Sequence, residues 1–128
     1  MAGSATDYLE NRLLDHALGT TAYTKPSALY LALYTAAPSD SAAGTEVTGG
    51  SYTRQAIAFT SAVSTGTASN TAAISFNNMP LATVVAVGLV DAASAGNLLF
   101  YSILPASKSY ASGDTAYVAA GSISVVLN

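Results

Sequence analysis

Two periodicities divide the chain. Between residues 6 and 18 the apolar positions recur at helical spacing, with Leu9, Leu13 and Ala17 on one line and Leu14 and Leu18 on the next. Thr6 is a suitable N-cap, Asp7 and Glu10 fall in the first turn where the helix dipole favours negative charge, and Gly19 follows as a C′ residue. The spacing predicts one helix over about 6–18. Beyond about residue 27 the period becomes two. Residues 28–35 place Leu29, Leu31 and Leu33 on one face and Tyr30, Ala32 and Tyr34 on the other, a strand apolar on both sides. Residues 36–51, with Pro38, Gly44 and Gly49-Gly50, read as a long loop. Residues 52–60 alternate again, and 73–77 carry Ile74 and Phe76 on one face. The small, polar stretch 61–72 fits a weak strand or a loose hairpin equally.

The second half is more regular. Residues 83–90 form a continuous β-branched run, 91–97 turn the chain, and 98–104 return it, with Pro105 read as the stop. A turn at 112–114, a strand at 115–119, a break at Gly121 and a last strand at 122–127 complete the series. About seven or eight short strands with turn signals every ~8–12 residues describe a mainly β protein, an antiparallel β-sandwich. The N-terminal α-helix is expected on one end or edge. Neither a repeat nor a linker interrupts the chain, so 1–128 reads as a single domain, helix about 6–18 and sandwich about 27–128.

Charge changes the picture. Only 9% of the 128 residues are charged, against roughly 25% in ordinary soluble domains. Ser, Thr, Asn, Gly and Ala must cover the surface, and neighbouring protein must cover much of the rest. The four basic residues, Arg12, Lys25, Arg54 and Lys108, are scattered and the net charge is −3, which argues against nucleic acid and against anionic lipid. The longest apolar run, 84–90, spans a strand and not a bilayer. The N-terminus has no positive region and no apolar core of a secretory signal. No cysteine is present, so neither a disulfide nor a thiolate metal site can form.

Candidate chemistry is sparse. The one histidine, His16, adjoins Asp15 on the predicted helix, but adjacent helical residues diverge and do not make a dyad. No acid, base or nucleophile cluster is visible, so the chain reads as a non-enzyme without cofactor. Asp40, Glu46, Asp91 and Asp114 read as turn formers, with a loop-bound calcium ion as the alternative. The eight tyrosines admit three readings: packing at the core edge, burial against another subunit, or sugar stacking. The candidate assembly surface comprises Tyr8, Leu9, Leu13, Leu14 and Leu18 on the helix with Tyr30, Tyr34 and Tyr52 on the strands. A helix stripe that merely caps the sandwich is the competing reading.

Several blocks in order carry a resemblance: Asn11 to His16, Thr21 to Thr24, Leu29 to Ala36, Gly44 to Gln55, Val87 to Ala92 and Gly96 to Leu99. From about residue 8 to the C-terminus the chain resembles small virion proteins of tailed bacteriophages, a family labelled tail-fibre-like or minor tail. The resemblance implies a non-enzymatic structural role in the virion, after synthesis in the host bacterial cytoplasm. A heptad shaft is missing, which directs the expectation toward a tail adaptor or a capsid decoration (cement) protein. The expected partners are the chain itself, as a trimer or higher oligomer, and other virion proteins of capsid or tail. A carbohydrate-binding host-attachment module is the alternative.

Overall fold

The structure, a computed structural model, describes residues 4–62 and 64–127. Its elements in chain order are β1 (Ser4–Ala5), α1 (Asp7–Ala17), β2 (Leu29–Ala36), β3 (Thr45–Glu46), β4 (Gln55–Ile57), β5 (Thr67–Ser69), β6 (Ile74–Phe76), β7 (Ala82–Val90), β8 (Leu98–Tyr110), β9 (Ala116–Val118) and β10 (Ser124–Val126). All strand pairs are antiparallel. One sheet runs β1-β8-β7-β2-β3, with β4 also on the outer edge of β2, and two short ladders, β10-β5 and β6-β9, supply the rest. The molecule is mainly β, a sandwich-like fold with one helix.

The expected two-sided burial of β2 is met by an apolar cluster on each face of the sheet. Leu31 and Leu33 join Val87 and Leu89 of β7 and Ile57, Ile74, Phe76, Met79 and Ile123 in the larger apolar core. On the opposite face Ala32, Tyr34, Ala86 and Val90 form a second cluster, flanked by Tyr30, Val85 and Leu98. Gly88 lies opposite Ala32 in this second face. A Cβ there would stand 2.6 Å from Leu98 Cδ1 and 2.9 Å from Tyr34 Cε2, so the missing side chain makes room for both.

The short ladders are held together by one side chain. Asn70 is 2% exposed, donates through Nδ2 to Ala72 O and Ala119 O, and accepts the Ile123 amide on Oδ1. Its own backbone accepts from Gly121 N and donates to Ile123 O. This fastening orders the 67–71 stretch, where β5 forms and Phe59 bridges Asn70. The reading of 61–72 as a weak strand is therefore met in β5, while Val63 lies outside the described residues.

The helix begins and ends as the sequence predicts. Thr6 Oγ1 accepts from Leu9 N at 3.4 Å and donates to Leu98 O at 2.7 Å, so one hydroxyl caps α1 and ties it to β8. Leu18 is the C-cap, and Gly19 follows at φ +81.

Four expectations need correction. Pro105 does not end its strand: β8 continues to Tyr110. The register jumps between the pairs Ala86–Ile103 and Val84–Lys108, so Leu104–Ser107 form a bulge in which the missing proline N–H deprives the ladder of nothing. The 36–51 loop contains β3, and the strand read over 52–60 contracts to β4 plus the bridge at Phe59. Ten strands are present among the described residues, more than the seven or eight expected, because the two-residue strands β1 and β3 are added at the edges of the main sheet.

Candidate functional site

The proposed assembly residues divide by exposure. Leu9 and Tyr34, each 4% exposed, belong to the chain's own interior. Leu13, Tyr8, Tyr30 and Tyr52 are half-buried. Leu14 on α1 and Leu18 at its C-cap, 57% and 76% exposed, are the two that face outward. Arg12 lies over the Tyr8 ring, 5.4 Å from its centroid, which holds both side chains against the helix. The strand tyrosines part company: Tyr34 sits in the second-face cluster, and the Tyr52 ring stacks on Phe76 in the larger core, centroids 5.7 Å apart.

Glu46 is the residue that sequence reasoning misplaced. It is no turn former; it sits in β3 at the centre of a polar clamp. Its Oε2 accepts from the Tyr52 hydroxyl at 2.7 Å and from Arg54 Nε at 3.0 Å, and Oε1 accepts from Arg54 Nη2 at 2.9 Å. Arg54 Nη1 then reaches across to the carbonyls of Ala92 and Ala95, at 2.9 and 2.7 Å. The pair thus pins the 91–97 turn to the β3 edge. Its hydrogen bond to Glu46 raises the Arg54 pKa, and burial raises that of Tyr52. The Tyr52 hydroxyl also accepts the Leu33 amide at 2.9 Å, so it bridges β2 and β3.

The other carboxylates behave as local fasteners. Asp91 accepts the Asn97 amide on Oδ1 at 2.7 Å and Asn97 Nδ2 on Oδ2 at 3.1 Å. Asp114 accepts the Ala111 amide at 2.8 Å. Asp40 departs from the turn-former reading: its Oδ1 accepts from the Tyr101 hydroxyl at 2.6 Å, and its carbonyl accepts from Asp7 N. His16 Nδ1 accepts the Tyr23 amide at 3.1 Å and so tethers the segment after the helix. Among the described residues no group of three or more His, Cys, Asp or Glu could hold a metal ion.

An apolar cavity of about 490 Å³ opens between the layers, lined by Leu29, Phe59, Leu89, Phe100, Val125 and Leu127 among others. It carries no ionisable side chain. Among the described residues no helix is long and apolar enough to cross a membrane. The arrangement offers surfaces, clamps and clefts for contact.

No curated protein sequence matches the chain. Residues 4–126 match the protein family described as Podophage GP4 fiber I protein gp80. That match spans nearly every described residue and agrees with the ordered blocks read from the sequence. The chain belongs to this phage fibre family and is a structural virion protein.

Proposed function

We propose that the chain is a repeated subunit of the phage particle, self-associated as a trimer or higher ring and seated on a tail or capsid protein. In that position it serves as a tail-fibre-like or adaptor piece, or as a decoration (cement) protein. One observation carries the reading: residues 55–90 and 115–128 contain no charged side chain. Those stretches supply the whole second layer, β5, β6, β9 and β10, together with β7. Tyr117 on β9 and Leu127 just past β10 are exposed there. Subunits meeting through such a surface need not strip water from ions, whose desolvation opposes association. Many copies on a lattice hold by avidity even where each contact is weak. The outward pair Leu14 and Leu18 offers a second apolar contact, directed to the other virion protein.

The test has two arms. Sedimentation of the purified chain across a concentration series is expected to show oligomers, dispersed by Tyr117→Glu. Incorporation into particles is expected to fall when Leu14 and Leu18 are both replaced by Glu, while the fold is kept. A monomer at every concentration, absent from purified particles, contradicts the proposal.

A further inference from the structure

The apolar cavity of about 490 Å³ between the layers has two unlike ends. Its floor is the main sheet, where Leu89 and Leu99 are buried. The opposite wall comes from the second layer, through Phe59, Ala68 and Val125. At the mouth stand Ala62, Gly66 and Leu127, all exposed. A narrower void of about 20 Å³ adjoins the cavity, with Leu89, Phe100 and Val125 common to both. Its further lining includes Leu31, Val87 and Ile123 of the larger core. The space therefore tapers from an exposed opening to a tip inside that core.

Small residues keep the space open. Ala62, Gly66 and Ala68 line it where larger side chains would close it, and a Cβ at Gly66 would meet nothing within 4 Å. None of the side chains lining the larger cavity carries a hydrogen-bonding group. An ordered water needs about two to four polar partners, so these walls suit an apolar occupant instead.

Shape and charge narrow the choice. The cavity has the volume of a small-molecule site. The void at its tip holds about one water-sized group, which is room for a terminal methyl but not for a ring. The floor lies beneath the second layer, so a rigid protein surface meets only the mouth, whereas a linear chain threads to the tip. Residues 55–90 and 115–128, which supply the second-layer wall and the mouth, contain no charged side chain. They offer an ionic head no partner, and such a head would not leave water.

We propose that this cavity binds a single linear aliphatic chain, with its polar head left in water at the mouth. The site is complete within one chain and does not require self-association. The test is a titration of the full chain with primary alcohols from butanol to decanol, followed by amide and methyl chemical shifts. Saturable shifts at Ala68, Leu89 and Val125 are expected. Affinity should rise about fourfold per added methylene and level off once the cavity is full. The carboxylate of equal length is expected to bind no tighter than the alcohol. Ala68→Leu fills the cavity from the second layer and is expected to weaken binding by more than about tenfold. Ala62→Leu obstructs the mouth from an exposed position and decides the matter should Ala68→Leu fail to fold. The proposal is overturned by the absence of saturable shifts at these residues, by affinity indifferent to chain length, or by unchanged affinity in the variants that fold. A carboxylate that binds more than about tenfold tighter than its alcohol overturns it too. Binding that vanishes as sedimentation shows oligomers forming gives the cavity to a neighbouring subunit; that result overturns the proposal and leaves the assembly reading standing.

Discussion

Gly88→Ala sets two effects of opposite sign against each other. Replacing a glycine in a strand restricts the unfolded chain and, with open space around it, stabilises by about 0.4–1 kcal/mol. The space here is not open: the new methyl would lie 2.6 Å from Leu98 Cδ1 and 2.9 Å from Tyr34 Cε2. Leu98 is half-buried and its terminal methyl can rotate away. Tyr34 is 4% exposed, and the cluster of Ala32, Ala86 and Val90 leaves its ring little freedom. Overpacking of this kind costs about 1–3 kcal/mol, which outweighs the entropic gain. A net loss of about 1–2 kcal/mol is expected, lowering the melting temperature by roughly 4–8 °C for a chain of this size. Thermal and urea unfolding read it directly. A double cycle with Tyr34→Ala isolates the clash: the two losses should fall short of additivity by about 1 kcal/mol, because the second substitution removes the obstacle. An unchanged or raised melting temperature for Gly88→Ala, or strict additivity in the cycle, refutes the steric account.

Asn70→Ala leaves Ala72 O, Ala119 O and Ile123 N without their side-chain partner. It should cost about 3 kcal/mol in chemical unfolding and raise hydrogen exchange first in β5 and β10. Arg54→Met strands Glu46, a quarter exposed at its side chain, and should cost about 2 kcal/mol, less than a fully buried pair because solvent screens it. Exchange at 91–97 should quicken with it, because the Ala92 and Ala95 carbonyls lose their donor. Alkaline pH gives a further test. Folding raises the pKa of Tyr23, Tyr34, Tyr52 and Tyr110, in each case chiefly by desolvation on burial, and of Tyr101 chiefly through its hydrogen bond to Asp40. A raised folded pKa means that the unfolded chain loses its protons first, so stability is intact below pH 10.0 and declines as pH climbs above it. The tyrosinate absorbance of these five residues should therefore appear together with loss of the near-ultraviolet dichroism, and an early, separate titration of Tyr52 would count against its buried clamp.

The long elements were legible because each carries its own periodicity. The leucines of α1, the two-sided run of β2 and the β-branched β7 needed no distant partner to be recognised. Pro105 misled because the local rule holds only within a regular ladder, and the register jump beside it is a property of the β7–β8 pair. The three-residue strands of the second layer depend on Asn70 meeting residues far along the chain, with Ala119 forty-nine positions away. Glu46 left a readable trace: Gly49-Gly50 returns the chain, which brings Glu46 beside Tyr52 and Arg54. The further reach of Arg54 to Ala92 and Ala95 left none.

The placement of charge unites these features and yields the last expectation. Acidic and basic side chains sit in α1, in the β3–Arg54 clamp, in turns and loops and, as Lys108, near the end of β8, while β5, β6, β9 and β10 carry none. The ionic groups therefore fasten the chain to itself, and the second layer is left to contacts governed by shape and apolar area. If subunits associate through that layer, the association constant should change little between low and moderate sodium chloride, because there is no ion pair to screen. Excluded salts such as sulfate should strengthen it, since they favour burial of surface in general. An association driven instead by the acidic helix end meeting Arg or Lys on a neighbour would weaken steeply as salt is added. Sedimentation of the full chain at a fixed concentration over a sodium chloride series separates the two, and a steep loss of oligomer would remove the uncharged layer from its proposed role.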